Sequence, residues 1–469
     1  MVTRLATPPW LAVMYATVFL SCTSFSIVMP SLWPYLRRLG GDAAGLAALV
    51  SLYSIGEAAG ALAFGAAAAA GAATRSVLMA ATAVGLVGSL LYIAAQGAGG
   101  GKPAMAFAAL AAGRTSQGAM TGGMQAVQQH HLGAVLPASA LTPATVALNA
   151  AATVGFVAGP AVAAALATVP RVPLAGGRLG VVDSLTAPGY FVATACVATL
   201  YAYAVHFGDG AYVEPGGAAG TDAESAPLLV ATAGEDGVGC KAAADPEALA
   251  VNDIEAPVAA GAAKPLLPIR SPPPPVLSPR RLRAVVVALN AVFAVHFFGF
   301  ALQETVTTPL VAAYYGWGVH ASAVLFTAAG GAAVVALVAA AVATDRGVPE
   351  RAVLVVSVVL GVLGYSALVS PPGAPPSLVR FLVGWAAISV AFPLGRASVV
   401  AAFSHALRGR PSGGYMGVLL AVGAVSRVLG PFWAVRAFLW RWGGVAVFGC
   451  TAALFVVAGG ATVAVWSSL

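Results

Sequence analysis

The sequence predicts an all-α integral membrane protein, with twelve transmembrane helices in two six-helix pseudo-repeats. Three observations carry that expectation. Of 469 residues, 59% are hydrophobic and only 8% are charged, with a mean hydropathy of +0.89. Soluble domains carry about 25% charged residues, so this chain has too few to face water on every side. Apolar stretches recur at spanning length, roughly 20 residues each, in two sets divided by one long polar interval. The two sets also share residues at corresponding places.

The N-terminal MVTRLATPPW runs straight into an apolar segment long enough to span, which reads as a first transmembrane helix and not as a cleaved leader. Spans are expected near 10–36, 43–70, 75–96, 103–129, 141–168 and 188–207, forming an N-terminal half over 1–207. They resume near 284–315, 319–343, 350–369, 378–405, 413–439 and 444–467, forming a C-terminal half over 284–469. The interval 208–283 holds ten of the sixteen acidic residues and ends on SPPPPVLSPRR. Low hydrophobicity with clustered proline, glycine and charge predicts a disordered linker. With both termini in the cytosol, the short loops and flanks carry nine basic residues on that side and eight on the other. The positive-inside rule therefore does not orient the chain by itself.

Several function classes are excluded. The four cysteines, Cys22, Cys196, Cys240 and Cys450, have no metal or redox spacing. The formal charge of +7 is scattered, with no basic stripe for nucleic acid. No nucleotide-binding loop, Ser-His-Asp set or zinc motif occurs, so neither an enzyme nor an ATP-driven pump is expected, and no cofactor or metal. The expected partners are a small-molecule or ion substrate and the lipid bilayer.

The duplication is read from two places. VALNAAATVGFVAGP and GVLLAVGAVSRVLGP align without gaps, matching Leu148 with Leu419, Val154 with Val425, and Gly159-Pro160 with Gly430-Pro431. GRTS holds Arg114 in the fourth span, and GRAS holds Arg396 in the tenth. Six-plus-six parallel repeats are a transporter architecture, with the substrate site at the repeat interface.

RTSQG at 114–118 and GFVAGP at 155–160, with Gly155, Gly159 and Pro160, resemble the fourth- and fifth-helix motifs of the major facilitator superfamily. DRGVPER at 345–351, with Asp345 and Arg346, resembles its charged loop. The N-terminal copy of that loop, FGAAAAAGAATR, keeps Arg75 but has lost the acidic residue. More narrowly, VVALNAVFAVHFFGFALQETVTTPL, SLYSIGE and GGYMGVLLAVGAVSRVLGP resemble the lysosomal facilitators linked to neuronal ceroid lipofuscinosis. That resemblance implies the major facilitator fold and a lysosomal or vacuolar membrane, with the plasma membrane as the alternative. Glu304 and Arg427 belong to the group's pattern. The position of Glu57 is more often Gln there, and Arg396 is not part of the pattern. The linker segment ESAPLL fits an acidic dileucine sorting signal through Glu224, Leu228 and Leu229, which would make sorting adaptors partners.

A charge at membrane depth costs on the order of 3 kcal/mol by insertion scales, so each is a functional candidate. The spans hold two acids, Glu57 and Glu304, and three deep arginines, Arg114, Arg396 and Arg427. Glu57 with Arg427 is either a helix-locking ion pair or a gate between halves, since the second and eleventh helices meet in the facilitator fold. Arg114, Arg396, Glu304 and its neighbour Gln303 are expected on helices lining a central cavity. Three arginines against two glutamates favour an anionic or zwitterionic cargo, and the guanidinium fork suits carboxylate or phosphate. Glu304 precedes Thr307, Thr308 and Pro309, where the missing proline N–H loosens the helix. Its solvation would then change during a cycle, which suits a proton carrier; the rival is a fixed salt bridge to one of the arginines. His296 is expected as a satisfied buried histidine. His130, His131 and His405 are expected as interfacial flanks, and Tyr314, Tyr315 and Trp317 as an interfacial belt. The function expected is secondary transport by alternating access, with an anion channel or uniporter-like pathway, or a transport-inactive scaffold, as alternatives.

Overall fold

The structure, a computed structural model, describes residues 8–98, 102–136, 138–173, 181–207, 278–371, 374–407 and 413–466. The sorting motif (Glu224, Leu228 and Leu229), Cys240 and nearly all of the linker lie outside the described residues. The first half comprises α1 (Pro9–Ser26), α2 (Met29–Arg38), α3 (Ala43–Ala69), α4 (Thr74–Ala98), α5 (Pro103–Val135), α6 (Ala138–Leu166) and α7 (Ala187–His206), with a short antiparallel hairpin of β1 (Val172–Pro173) and β2 (Val181–Val182) before α7. The second comprises α8 (Pro279–Tyr315), α9 (Val319–Asp345), α10 (Glu350–Leu368), α11 (Leu378–Ala406), α12 (Gly413–Ala434), α13 (Arg436–Leu439) and α14 (Gly443–Ala464).

Among the described residues, eleven helices are long and apolar enough to cross a membrane. The 33-residue α5 has the length but not the hydropathy, because Arg114, Gln117, Gln125, Gln128, Gln129 and the two histidines lie along it. Counting it gives six crossing helices in each half. The first crossing is broken, not continuous as its apolar run predicts. Hydroxyls of Thr23, Ser24 and Ser26 donate to the carbonyls of Phe19, Leu20 and Cys22 at 2.8, 2.7 and 3.0 Å, a pattern that bends helices, and Pro30 then removes a helical donor. The seventh crossing starts earlier than expected. Ser278 caps it, accepting from the Arg281 N–H at 3.5 Å, so Arg280, Arg281 and Arg283 sit in its exposed first turns.

Glycines show the repeat at backbone level. At the α4–α5 crossing a Cβ on Gly88 would meet the Gly113 carbonyl oxygen at 2.8 Å, and at the α10–α11 crossing Gly364 and Gly384 face each other likewise. Gly155 and Gly159 press α6 against α1, and Gly430 presses α12 against α8. Gly113 and Gly384 are thus equivalent, which aligns Arg114 with Trp385. Arg396 lies about three turns further along α11. The GRTS and GRAS matches are therefore not the same place in the two halves, although the Gly-Pro motifs are.

Both halves belong to one compact unit, Met1–Tyr212 with Val276–Leu469. The second crossing helix of each half packs on the fifth of the other, α3 on α12 and α9 on α6. One face of the bundle carries the turns after α2 and α8, and the other carries the end of α7 and the start of α8. On the turn face α2 reaches α8 and α9, and His320 Nδ1 lies 3.1 Å from the Ala164 carbonyl. Deeper, Val157 lies against Gly330 and Ser51 donates to the Val428 carbonyl at 2.8 Å. Towards the terminal face, no described hydrogen bond or ion pair joins the halves. The halves are closed at the turn face.

The turn face is itself braced within the first half. Arg38 at the end of α2 bonds Asp183, whose other oxygen accepts from the Leu185 and Thr186 amides at 3.0 and 3.1 Å. Burial alone would push the Asp183 carboxyl up; the Arg38 hydrogen bond, the two amides and the Arg38 charge outweigh it and hold the group below the usual carboxylate range. A depressed carboxyl contributes stability above its unfolded value and loses it as pH falls through the folded one. Asp183→Asn should therefore lower the thermal midpoint equally at pH 7 and pH 5, with the difference shrinking only below about pH 4. A penalty that fades between pH 7 and pH 5 would contradict this.

Candidate functional site

The site begins with how α3 and α5 approach. Gly56 and Gly60 on α3 lie against the Thr115 and Ala119 carbonyls; Gly118 and Gly122 on α5 lie against the carbonyls of Tyr53 and Glu57. A Cβ at any of these four would collide with backbone. This is a reciprocal small-xxx-small contact of the kind that lets helices pack without a hydrophobic driving force in lipid. It fixes Glu57 and Tyr53 on one side of the interface and Arg114 beside them.

Across the interface Arg427 on α12 reaches Glu57, Nη1 to Oε2 at 2.6 Å. The same guanidinium stands 3.9 Å from Glu304 of α8, Nη2 to Oε2. Arg427 is thus shared between a carboxylate of the opposite half and one of its own. Three aromatic faces surround it: Phe25 at 5.0 Å, Tyr53 at 5.8 Å and Phe300 at 5.8 Å. Glu304 is buried, and its Oε2 accepts no hydrogen bond from the protein.

Arg114 is fully buried. Its Nη1 donates to Gln117 Oε1 at 3.1 Å, and its guanidinium lies 4.5 Å from the Tyr53 ring centre and 5.7 Å from that of Phe25. Its Nε and Nη2, and the Gln117 Nε2, have no protein acceptor. Glu304 and Arg427 are both near enough to act on it electrostatically, although neither touches it. Arg396 differs: it is exposed, yet its electrostatic neighbours are Glu57, Arg427 and Cys22, so it faces the other half and not lipid.

Glu57, Glu304, Arg114 and Arg427 therefore form one cluster, with Arg396 at its terminal-face edge. Gln303 points away from it. Its amide donates to Ser389 Oγ at 2.7 Å and the Trp385 carbonyl at 3.3 Å, tying α8 to α11. Asp345 and Arg346 are exposed at the end of α9 and make none of the described ion pairs. Gly155, Gly159 and Gly430 are packing residues, and Pro160 and Pro431 lie inside α6 and α12, which continue beyond them. His296 is buried and satisfied, between the Val292 carbonyl at 2.9 Å and Ser357 Oγ at 3.1 Å. His130 is exposed, as an interfacial flank would be, but its neighbour His131 turns inward, against Trp10 and Thr74. His405 is exposed, 3.7 Å from Glu350. A cleft of about 270 Å³ at the turn face contains Asp42, but that carboxylate is engaged by the Gly45 amide at 2.8 Å.

Phe25, Tyr53, Phe300 and Gln117 are site residues not anticipated from sequence. Three had a usable signal. Tyr53 and Phe300 stand four residues before Glu57 and Glu304, and Gln117 three after Arg114, so each shares a helix face with a deep charge.

No family model matches the chain. It is 23% identical, over 482 aligned positions, to major facilitator superfamily domain-containing protein 8 of Xenopus laevis, covering 91% of this chain and 85% of that one. Its fold is similar to a bacterial homologue of the human lysosomal transporter Spinster in an inward-facing, occupied conformation, with a TM-score of 0.66, 11% identity, and 99% and 98% of the two chains covered. It is also similar to a D-xylose–proton symporter, with a TM-score of 0.62, 12% identity, and coverage of 96% and 97%.

Arg427 compensates two carboxylates, so the cluster should respond unequally to neutralisation. Arg427→Met strands both acids and should cost about 3–5 kcal/mol, read as lost yield and a lower thermal midpoint. Glu57→Gln leaves Arg427 with Glu304 and should be milder. Adding Glu57→Gln and Glu304→Gln to Arg427→Met should restore stability. If the triple variant is no better than Arg427→Met alone, the charges are not mutually compensating.

Proposed function

We propose that this chain, whose fold is that of the major facilitator superfamily, works as a secondary transporter of a small anionic or zwitterionic solute, driven by protons, across a lysosomal or vacuolar membrane. The observation that carries the reading is the sealed Arg114, with two guanidinium nitrogens lacking protein acceptors, beside an arginine shared between the halves. A desolvated guanidinium is expensive unless something acidic completes it, and its planar fork matches carboxylate or phosphate.

With the terminal face assigned to the cytosol, the closed turn face is luminal. Opening it separates Glu57 from Arg427, because they belong to different halves. Arg427 then has Glu304 as its remaining carboxylate. An approaching guanidinium favours the ionised carboxylate, and its withdrawal into a dry setting favours the protonated one. Protonation of Glu304 from an acidic lumen would free Arg427 for Glu57 and favour closure of the luminal face, and the proton would then leave on the cytosolic side. The luminal contact and the proton are thereby linked through one side chain.

Glu304→Gln tests the coupling in proteoliposomes. The variant should stay folded and exchange labelled substrate, but uptake should no longer depend on the pH gradient; a folded variant with full gradient dependence removes Glu304 from the coupling. The membrane of action rests on the resemblance and on ESAPLL in the linker. Replacing Leu228 and Leu229 by alanine should move the protein to the plasma membrane. An unchanged distribution would show that this signal is not read.

A further inference from the structure

The C-terminal half contains many aromatic side chains, and most have an evident packing role. Tyr365, Phe381, Phe448 and Phe455 are fully buried in its apolar core. Phe300 on α8 and Phe392 on α11 are different. Their rings stack face to face, 4.0 Å between centres and 13° between planes. Both are only half-buried, and neither belongs to the apolar cores of that half. They do not face lipid. Phe300 flanks the Arg427 guanidinium, which is bonded to the opposite half. Phe392 stands one helical turn before Arg396, whose electrostatic neighbours, Glu57 and Cys22, also lie on the opposite half. Phe297 extends the shelf, edge-on to Phe392 at 5.1 Å.

Arg396 sits at the lip of this shelf. It is exposed and makes none of the described hydrogen bonds or ion pairs. The halves are joined on the turn-face side of it and not on the terminal-face side. An unpaired guanidinium one turn from an apolar stack, at the open end of the interface, is a two-part recognition surface.

We infer that the cargo joins an acidic group to a flat apolar body, with Arg396 receiving the acid and Phe300 and Phe392 selecting the body. This rests on the transporter reading above and narrows its substrate class. A carboxylate or phosphate takes the fork of Arg396 bidentately, while a planar ring gains offset or edge contact with the stacked pair. A small inorganic anion or a compact polar acid would use the arginine and leave the shelf wet. A body that is apolar but not flat would bury area without the ring contact.

Saturable binding to the purified full-length protein in lipid nanodiscs separates these cases, with four probes: 3-phenylpropanoate, 3-cyclohexylpropanoate, propanoate and 3-phenylpropylamine. We expect 3-phenylpropanoate to bind about tenfold more tightly than propanoate, with the cyclohexyl acid between them and the amine not competing. Phe392→Ala and Phe300→Ala should bring the phenyl-to-propanoate ratio close to one by weakening 3-phenylpropanoate more than propanoate, and Phe392→Tyr should keep the ratio. Arg396→Gln should weaken all three acids together. A merely structural role for the rings would lower stability and leave the ratio intact. Equal binding of propanoate and 3-phenylpropanoate, or a ratio unmoved by both alanine variants, overturns this inference and leaves the anion-transporter reading standing. Absence of binding by every acid overturns both.

Discussion

An arginine at membrane depth needs a counter-charge, and Arg427 takes one of its two from the other half of the molecule. Removing two ions from water costs more than their attraction returns unless the geometry is good and further partners complete them. Here the Glu57 contact is short, at 2.6 Å, and the rest of the guanidinium is faced by Phe25, Tyr53 and Phe300, whose ring quadrupoles stabilise a cation in a dry setting. Because Phe25, Tyr53 and Glu57 all come from the first half, this compensation is complete only while the halves touch at that level. When they part, the charge has to be taken up by Glu304 or by water. The contact between the halves is therefore conditional on charge, which an apolar interface is not.

Within each half the contacts are of another kind. Helices meet backbone to backbone at Gly56, Gly60, Gly118 and Gly122, and at the paired glycines of the α4–α5 and α10–α11 crossings. Helices this close cannot slide without a carbonyl running into a Cα. Between the halves the described polar links are few: Ser51 to Val428, His320 to Ala164, and the Glu57–Arg427 pair. Stiff units joined by sparse polar contacts separate as bodies instead of deforming. The difference lies in residue type, with glycine against backbone inside each half and, between them, one ion pair and two side-chain contacts to carbonyls among the described residues.

Much of this was legible in the sequence. Composition and the spacing of apolar runs gave the membrane class and the crossings, and the Gly-Pro motifs gave the repeat. The deep charges stood out because an ionised side chain in hydrocarbon is too costly to be incidental. Partnership was harder to read. That Glu57 meets Arg427 needs the packing of α3 on α12, which periodicity does not encode. The GRTS and GRAS match misled on depth, because a short motif in apolar, alanine-rich sequence can recur out of register; only the glycine crossings fix which turns correspond. In a chain with 55 glycines the ones that matter do not stand out by number, yet SIGEAAG and QGAMTG carry the four-residue spacing that lets α3 and α5 touch. Gln303 was grouped with Glu304 by adjacency, but adjacent helical positions lie about 100° apart, so one faces the interface and the other α11.

The repeat is conserved in scaffold and broken in charge. The first and fifth crossing helices are linked by Phe25 against Phe156, 5.5 Å apart, in one half, and by Glu304 against Arg427 in the other. Trp385 occupies in the second half the place that Arg114 holds in the first, and it hydrogen-bonds Thr307 at 3.0 Å instead of standing unpaired. A charge-symmetric pair of halves would present two equal sites. This one instead sets its cations at different depths along a single interface. Arg396 is reachable from the terminal face, Arg427 lies further in and is held by two acids, and Arg114 is sealed behind Tyr53 and Phe25. For the anionic cargo proposed above, an unpaired guanidinium would be the first group met from the open face. To reach the second, the cargo must displace Glu57 or Glu304, and displacing Glu57 loosens the contact that closes the far side. An acid that takes Arg427 from Glu57 costs the halves part of what holds them together, and by that route the order of the charges would link occupancy to opening.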